Sequence, residues 1–428
     1  MKDPTRRLVI GASVGVALDA ASYRRVLGAN DRIAIGLIGC GARGKGLRNM
    51  AHGSAKELNV TMTAVCDLWT RNRDKAAADV AQRFGRAPRT FKYPEELLAA
   101  KDVDAVMIAT ADHQHAPLLI DTVKAGKDCY CEKPMANRLE DAKHARDVVL
   151  GAKQICQMGS QWVSDPYHRK VRDLVRAGTL GPITRIEQRW NTYEQRWRDP
   201  HDPDIQEIRE ADTDWKRWLC GRPYRPFDPR VYFEFRLYRD FSSGLPDQWM
   251  THASTLVHLY MDEDVPESMV ANGGVFLWKD GRENADTFTA TATYKKGFVH
   301  VFQAQFGNGF GNHSAIMGAN GTLWSPGAEG SQKWTLTPEG GRAGSPIKSA
   351  LPLSVPGAPP PELEPTDDSK WHFDDWVNAM RARRQPNGDI MSGFRHSVAV
   401  IMAARAYREG KRMYWDARHE QIVDQAPG

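Results

Sequence analysis

The feature that most limits what this chain can fold into is an apolar run that leads into three regularly spaced glycines. The letters IAIGLI are followed by Gly39, Gly41 and Gly44 in a G-x-G-x-x-G pattern, and a segment with helical character comes next. A buried strand, a tight glycine turn and a helix in this order form the first unit of a dinucleotide-binding fold. Because helix N-termini attract phosphate groups, we predict a cofactor site formed by Gly39, Gly41, Ala42, Arg43 and Gly44.

A second strand-like segment predicts which dinucleotide binds. The letters VTMTAVCD end in Asp67, which lies 23 positions after Gly44, close to the spacing of about 20 expected for the acidic residue at the cofactor ribose. A carboxylate there accepts hydrogen bonds from the ribose hydroxyls and repels the extra phosphate of NADP, so NAD is favoured over NADP. Arg71 is also assigned to the cofactor site, where it would soften this preference, although it fits a solvated helix face equally well.

The alternation of strands and helices continues along the chain. PEELLAA and HAPLLIDTVKAG have helical character, whereas DAVMIAT and KDCYCEKP are typical of buried strands. This rhythm predicts an α/β fold with a parallel, doubly wound sheet, and ligands of such sheets lie at the carboxyl ends of the strands. The residues that follow the last two strands, and that we therefore place around the cofactor, are Thr110, Asp112, His113, His115, Glu132, Lys133 and Pro134.

Four sequence elements together resemble one protein family. GCGARG, Asp67, TADHQHAP and CEKPMA are similar to motifs of the Gfo/Idh/MocA oxidoreductases, named for glucose-fructose oxidoreductase and inositol 2-dehydrogenase, and the resemblance covers most of the chain from Asp31 onward. It implies an N-terminal Rossmann domain followed by an α/β domain whose large, mainly antiparallel open sheet carries the sugar site and often the oligomer interface. It also implies that Lys133 is the proton-transfer residue.

A later segment departs from the family pattern. FSSGLPDQWMTHASTLVHLYM corresponds to the family segment that often reads D-W-G-x-H-x-x-D, and His252 matches its histidine. Gln248 stands where an aspartate is common, and Thr255 replaces the last aspartate. The chain therefore lacks a carboxylate that could orient or assist a catalytic histidine. We assign His252 to catalysis together with Lys133, although a helical histidine is as often a core residue.

The stretch after the last Rossmann strand contributes further candidates. Gln161, Trp162 and His168 follow that strand directly, and we place Gln161 at the cofactor. Aromatic residues are also concentrated between positions 190 and 260, where sugar sites could use their faces, but packing in the core explains each of them better. The predicted substrate-binding residues are Lys133, Trp162, His168, Gln248 and His252.

These patterns divide the chain into three parts. Residues 31–157 are predicted to form the Rossmann domain, and residues 158–428 the second α/β domain, whose C-terminal helices pack back on the Rossmann side. Within residues 1–30, Arg6 and Arg7 precede an apolar run that is too short to span a membrane as a helix, which is typical of a twin-arginine export signal. This predicts a periplasmic or exported protein; the alternative is an amphipathic N-terminal arm on a cytoplasmic protein.

Composition excludes several classes of partner. With 58 basic and 53 acidic residues the formal net charge is only +5, so nothing marks a nucleic-acid or membrane-surface protein. The six cysteines show no paired C-x-x-C spacing and no accompanying His-rich cluster, so neither a zinc site nor a disulfide framework is predicted. The resemblance implies a carbohydrate as the small-molecule partner and a homo-oligomer formed through the open sheet, and the cysteine and histidine pattern predicts no metal.

Three functions fit these features. The first is an NAD-dependent oxidoreductase acting on a sugar, cyclitol or glycoside, with Lys133 handling the hydroxyl proton. The second is a redox-neutral, NAD-dependent glycoside hydrolase, which some members of the family are; it would oxidise the sugar, eliminate the aglycone and reduce the product again. The third is a non-catalytic cofactor-binding sensor, against which the intact Lys133 and His252 argue. We rank them in that order.

Overall fold

Two β-sheets flanked by helices make up the fold. The structure is a computed structural model that describes residues 32–195, 203–327, 334–340, 346–353 and 369–427. The predicted export signal within residues 1–30 lies outside the described residues.

The first sheet contains six parallel strands in the order β3-β2-β1-β4-β5-β6. Its strands are β1 (Ile33–Ile38), β2 (Val60–Cys66), β3 (Arg89–Phe91), β4 (Ala105–Ile108), β5 (Asp128–Cys131) and β6 (Cys156–Met158). Its helices are α1 (Ala42–Ser54), α2 (Thr70–Phe84), α3 (Pro94–Leu98), α4 (His115–Lys124) and α5 (Leu139–Leu150).

The sequence of this sheet explains where a ligand can bind. Strand β4 is apolar at every position and fully buried, as expected for a parallel strand that helices cover on both sides. The strand order changes direction between β1 and β4, and such a switch point leaves a crevice at the carboxyl ends of the strands. The segments that follow β1, β2, β4 and β5 therefore border one crevice.

The second sheet contains ten strands in the order β14-β13-β12-β11-β7-β10-β9-β8-β15-β16, and all neighbours are antiparallel except β7 and β10. Its strands are β7 (Ile183–Asn191), β8 (Ser268–Gly274), β9 (Thr287–Tyr294), β10 (Phe298–Gln305), β11 (His313–Gly318), β12 (Gly321–Ser325), β13 (Thr335–Pro338), β14 (Leu351–Pro352), β15 (Met413–Asp416) and β16 (Gln421–Val423). In β9, buried and half-buried positions alternate, so its aromatic and alanine side chains face the core and its threonines face outward.

Helices connect the two sheets. They are α6 (Pro166–Arg176), α7 (Pro203–Glu207), α8 (Trp215–Trp218), α9 (Pro229–Phe233), α10 (Thr251–Met261), α11 (Ser369–Ala382) and α12 (Ile390–Glu409). Helix α12 packs on β8 of the second sheet and on α5 of the first. Helix α11 packs on α1, where the Ser54 hydroxyl donates to Asp374 Oδ1 at 2.5 Å.

The outer strand β6 is hydrogen-bonded to residues from much later in the chain. The Met158 amide donates to the carbonyl of Gly388 at 2.7 Å, and His372 Nε2 donates to the Met158 carbonyl at 2.8 Å. The Gln157 side-chain amide donates to the His372 carbonyl at 2.7 Å. Both backbone polar groups of Met158 at this edge of the first sheet are thus satisfied by the C-terminal region.

The predicted fold class, a parallel doubly wound sheet followed by an α/β domain with a large, mainly antiparallel sheet, is confirmed. Strand β3 was not predicted, because it has only three residues and two of them are exposed, which leaves no apolar run. A single π-helical turn at Pro246–Met250 leads into α10, and no local sequence pattern predicts it.

Candidate active site

A cavity of about 1740 Å³ opens at the carboxyl ends of the parallel strands. Residues 214–241 cover it on one side: the Gln114 side chain donates to the Trp218 carbonyl at 2.6 Å, and the Asn137 side chain donates to the Phe241 carbonyl at 2.8 Å. The sequence-predicted residues that line the cavity are Gly39, Gly41, Ala42, Arg43, Asp67, Thr110, Lys133, Trp162, Gln248 and His252. The predicted residues that do not line it are Gly44, Arg71, Asp112, His113, His115, Glu132, Pro134, Gln161 and His168.

The glycine turn has the geometry that the G-x-G-x-x-G pattern requires. Gly39 has φ of 91°, and a Cβ there would lie 2.5 Å from the carbonyl oxygen of Ala109. At Gly41 a Cβ would find its nearest neighbour 3.9 Å away, so this backbone faces open space at the start of α1. At Gly44 a Cβ would lie 2.1 Å from the Gly39 carbonyl oxygen. Gly44 therefore allows α1 to pack against the turn and does not line the cavity.

Asp67 lies at the end of β2 with its carboxylate held by backbone amides. Oδ2 accepts a hydrogen bond from the Cys40 amide at 2.7 Å, and Oδ1 accepts one from the Trp69 amide at 2.8 Å. Burial raises the pKa of Asp67 to about 6, while these amides and the Asn72 side chain oppose the rise. Arg71 does not line the cavity and pairs with Glu207 instead. Successive helical residues point about 100° apart, so Asn72 faces the cavity in its place.

Lys133 projects from the turn after β5 towards α10. Its Nζ donates to the backbone carbonyl of Gln248 at 2.6 Å, and the peptide bond between Lys133 and Pro134 is cis. Burial lowers the pKa of Lys133 to about 8, and the charges of Asp112 and Glu132 oppose that shift. With this pKa about one tenth of Lys133 is the neutral amine at pH 7, and the neutral amine is the form that can accept a proton.

The side chains next to Lys133 in sequence support the turn. Glu132 Oε1 accepts a hydrogen bond from Arg43 Nε at 2.6 Å, and Oε2 accepts one from the Lys133 amide at 3.3 Å. His115 Nδ1 donates to the carbonyl of Pro134 at 2.7 Å, and burial lowers the pKa of this imidazole. Glu132, Pro134 and His115 thus fix the backbone around Lys133 from outside the cavity.

Gln248 is engaged at both ends of its side chain. Its Oε1 accepts a hydrogen bond from Arg236 Nε at 2.8 Å, and its Nε2 donates to Asp112 Oδ2 at 2.5 Å. The pKa of Asp112 is raised by burial, while Arg236 and Lys133 and hydrogen bonds from Ser242 and Gln248 oppose the rise. Asp112 therefore lies behind Gln248, not at the cavity surface where the strand-end pattern placed it.

His252 lies on the first turn of α10 among aromatic rings. Its ring centroid is 4.5 Å from that of Trp162, and its ring stacks on that of Trp190 at 6.1 Å. Burial lowers the pKa of His252 strongly, and the charge of Lys133 acts in the same direction. The imidazole is therefore neutral, and its Nδ1 has no hydrogen-bond partner among the described residues. It lines the cavity together with Lys133.

Two predicted site histidines are core residues. His113 Nε2 is 2.9 Å from the Trp218 carbonyl, and its ring packs edge-on against Trp218 at 4.9 Å. His168 Nδ1 is 2.6 Å from the Tyr260 hydroxyl. Burial lowers the pKa of both imidazoles to about 3, so neither exchanges protons near neutrality. Gln161 does not reach the cavity.

Several residues that line the cavity were not predicted as site residues. Trp190 stacks on His252 and packs against Trp249, and Trp218 comes from the covering segment. Arg236 lines the cavity next to Gln248. The aromatic-rich composition between positions 190 and 260 was the one available signal, but composition does not distinguish a tryptophan in a cavity wall from one in the core.

The cavity has the features that a nicotinamide dinucleotide needs. The open backbone at Gly41 begins helix α1, whose N-terminus attracts phosphate, and Asp67 stands at the end of the next strand. The Thr110 hydroxyl lines the cavity and is buried without a hydrogen-bond partner among the described residues, so a ligand could satisfy it. Gly39, Gly41, Asp67 and Thr110 would hold such a cofactor.

Two further observations concern metals and membranes. In the described ranges, no group of three or more His, Cys, Asp or Glu side chains is arranged to hold a metal ion. No helix in this part of the chain has the length and apolar character to cross a membrane.

Comparison with known proteins agrees with this geometry. Residues 33–160 match the family model described as "Oxidoreductase family, NAD-binding Rossmann fold". The inositol 2-dehydrogenase of Rubrobacter xylanophilus is 34% identical over 156 residues, which are 36% of this chain and 42% of that protein. The alpha-N-acetylgalactosaminidase of Shewanella oneidensis is 24% identical over 302 residues, which are 68% of this chain and 62% of that protein. The matches thus span less than two thirds of either curated relative.

The solved structure of levoglucosan dehydrogenase, in complex with NADH and levoglucosan, has a similar fold. It superposes with a TM-score of 0.70 at 18% sequence identity, covering 93% of this chain and 100% of that one. At this level of identity the likeness shows the shared fold alone, and the two-sheet architecture described above is that fold.

Proposed function

We propose that the chain, whose residues 33–160 match the Gfo/Idh/MocA oxidoreductase family model, is a member of that family that oxidises a CH–OH group of a sugar, cyclitol or glycoside with NAD as the acceptor. The observation that carries the proposal is the position of Lys133. Its Nζ lies at the cavity wall, 2.6 Å from the Gln248 carbonyl, with a pKa of about 8.

The residues of the site divide into a cofactor part and a substrate part. Gly39, Gly41 and Asp67 would hold the dinucleotide, and NAD, when bound, accepts two electrons and the hydrogen from the carbinol carbon. Trp162 and Trp190 flank His252 and offer aromatic faces to the C–H surface of a sugar ring. The substrate would therefore lie between these rings and Lys133.

Lys133 and His252 have distinct roles in the proposed reaction. The hydroxyl proton is transferred to the neutral amine at Lys133 Nζ, which must first lose its own extra proton. His252 is neutral and lies at the cavity wall, so a ring nitrogen can accept or donate a hydrogen bond to a neighbouring hydroxyl and orient it. The oxidised product is a ketone or lactone.

The test is an oxidation assay with a panel of sugars and cyclitols. Purified protein is incubated with NAD and each compound, and the absorbance of reduced nicotinamide is followed. We expect NADH formation with at least one carbohydrate, its loss in Lys133→Met, and its retention in Lys124→Met, which changes an exposed lysine on α4. Activity that survives unchanged in Lys133→Met would refute the assigned role.

A second candidate, the redox-neutral glycoside hydrolase, is favoured by one specific observation. The similarity to the Shewanella oneidensis alpha-N-acetylgalactosaminidase extends over 68% of this chain, well beyond the Rossmann domain. An aryl glycoside distinguishes the two candidates: release of the aglycone without net NADH supports the hydrolase, whereas stoichiometric NADH without aglycone release supports the dehydrogenase.

We also propose export through the N-terminal residues. Arg6 and Arg7 before an apolar run support a twin-arginine signal and a periplasmic location. Replacement of both arginines with lysine should leave the protein in the cytoplasm of its host, as fractionation would show, while export of the double variant would contradict the proposal.

Finally, we propose that the protein is a homo-oligomer that associates through the outer face of the ten-stranded sheet. Half-buried threonines of β9 and the exposed Trp324 of β12 lie on strands of this sheet. Sedimentation of the purified chain should give a multiple of 48.0 kDa, and Trp324→Glu should lower it. A monomeric wild-type protein would refute the proposal.

A further inference from the structure

Gln248 is neutral, whereas the family pattern has a negatively charged aspartate at this position. The side chains that contact Gln248 include a carboxylate, that of Asp112. Three of its polar groups bind charged side chains: Oε1 accepts from Arg236 at 2.8 Å, Nε2 donates to Asp112 at 2.5 Å, and the backbone carbonyl accepts from Lys133 at 2.6 Å. Gln248 is thus the common neighbour of one carboxylate and two cations. An aspartate at position 248 would have brought its own charge to this point.

Asp112 is held as part of a buried pair of carboxylates. Only 2% of its surface is exposed, and its Oδ2 also accepts a hydrogen bond from the Ser242 hydroxyl at 2.7 Å. The same hydroxyl is 3.4 Å from Oδ2 of Asp247, which is completely buried. Burial and, next, repulsion from Asp112 raise the pKa of Asp247 to about 6. The hydrogen bonds from Ser242 and Gln248 favour the ionised form of Asp112.

Resting on the function proposed above, we propose that Asp112 is the positioning carboxylate of Lys133, acting through Gln248 in place of the aspartate that the chain lacks at position 248. Asp112 does not line the cavity, so it touches neither substrate nor cofactor. Its negative charge opposes the effect of burial on Lys133 and keeps the amine basic enough to accept a hydroxyl proton.

Other charged and titratable groups surround Lys133, and their arrangement leaves this role to Asp112. Glu132 is paired with Arg43 at 2.6 Å, and its charge raises the pKa of Lys133 less than the charge of Asp112 does. Arg236 binds the other end of the Gln248 side chain; its charge stabilises ionised Asp112 and lowers the pKa of Lys133, so it acts on Lys133 in the direction opposite to Asp112. The imidazoles whose charge would interact with Lys133 all have lowered pKa values and are neutral; they are His115, His252 and His396.

The test measures the titration of Lys133 itself and needs neither substrate nor NAD. The rate at which acetic anhydride acetylates Lys133 is determined by peptide mass spectrometry across a pH series, because only the free amine reacts. In the wild type the rate should rise with a midpoint near pH 8. Asp112→Asn removes an opposite charge, and we expect the midpoint to fall by about one pH unit. Asp121→Asn, which removes a cavity-lining carboxylate on α4, should leave it unchanged.

A charge-swapped variant separates this role from a merely structural one. Asp112→Asn combined with Gln248→Glu exchanges the amide and the carboxylate and keeps the hydrogen bond between positions 112 and 248. The proposal expects the Lys133 midpoint to return towards that of the wild type. An unchanged midpoint in Asp112→Asn, or a lowered midpoint that the swap does not restore, would overturn it.

Asp112→Ser provides a second route if Asp112→Asn does not fold, because serine removes the charge while its hydroxyl can both donate and accept. The same downward shift is expected, and a wild-type midpoint in the folded serine variant would overturn the proposal. The titration involves no turnover, so the two experiments test separate claims. Absence of NADH formation in the oxidation assay would refute the proposed function and leave the role of Asp112 standing. An unshifted Lys133 midpoint would refute the role of Asp112 and leave the proposed function standing.

Discussion

The protonation state of Lys133 controls the proposed reaction at the scale of single residues. Its pKa in the folded protein is about 8, below the ordinary value of 10.5, so the fraction of free amine grows as pH rises through about 8. We expect the rate of oxidation to increase with pH and to level off above that value. In Lys133→Met the rate should fall by roughly 10² to 10⁴ and the pH dependence near 8 should disappear.

Two measurements on the same preparation check this prediction: turnover across the pH series, and the amount of NAD bound. NAD occupancy should be unchanged in Lys133→Met, because the side chain handles a proton, and the residues that the structure places to hold the dinucleotide are Gly39, Gly41, Asp67 and Thr110. Loss of bound NAD with normal turnover per bound cofactor would show that Lys133 is structural.

Asp67 is expected to select the cofactor. Asp67→Asn keeps an acceptor oxygen for one of the two amides that bind the carboxylate but removes the negative charge. The dissociation constant for NAD should rise, whereas that for NADP should rise less or fall, since repulsion of the additional phosphate is lost. Fluorescence titration with both cofactors measures this. Arg71→Ala should change neither constant, given that Arg71 pairs with Glu207 away from the cavity.

The sequence predicted the positions of those site residues whose placement depends only on the local backbone. Gly39, Gly41 and Lys133 could be assigned because a turn or a strand end alone determines where they point. Asp112 and His113 also follow a strand end, yet they face partners from a segment more than 100 positions later, such as Gln248 and Trp218. No local pattern predicts such a contact.

Helix α12 stabilises the turn that carries Lys133. The amide of Met135 donates to His396 Nε2 at 3.1 Å, and the amide of Ala136 donates to the Ser397 hydroxyl at 3.2 Å. All four residues are buried. Two backbone donors that immediately follow Pro134 are therefore satisfied only because this helix from the C-terminal region packs against them.

We predict that Ser397→Ala is destabilising, since it leaves the Ala136 amide buried without its acceptor. The cost should be about 1 to 3 kcal/mol in the free energy of unfolding, measured by denaturant titration. Ser392→Ala, which removes a half-buried hydroxyl at the start of the same helix, serves as the control and should cost less. Equal effects of the two substitutions would mean that the bond to Ala136 contributes little.

Helices and strands whose apolar residues recur at a regular spacing could be predicted from the sequence. Segments without such a spacing could not. β9 alternates strictly between buried and half-buried residues, and its sequence shows the same alternation. The covering segment between Trp215 and Phe241 consists of short helices and turns, whose positions depend on aromatic packing with the first domain. Its contribution to the cavity could be known only from the structure.

At the scale of the whole molecule, residues of both the first and the second domain line the cavity. Bound NAD should therefore stabilise the entire fold. A ligand present at one hundred times its dissociation constant adds about 2.7 kcal/mol to the free energy of unfolding. We expect NAD to raise the thermal unfolding temperature, and NADP at the same concentration to raise it less. Equal shifts for both cofactors would contradict the role of Asp67 in selecting NAD.

The hydrogen bonds between β6 and the C-terminal region have a consequence for the order of events during protein synthesis. The ribosome makes residues 33–158 first, but the edge of their sheet is completed by His372 and Gly388, and the Lys133 turn by His396 and Ser397. Although domains commonly fold one after another as they emerge, the edge and the Lys133 turn of this nucleotide-binding domain are completed only when nearly the whole chain has been made. An incomplete translation product therefore carries every cofactor motif in its sequence and still lacks a finished site.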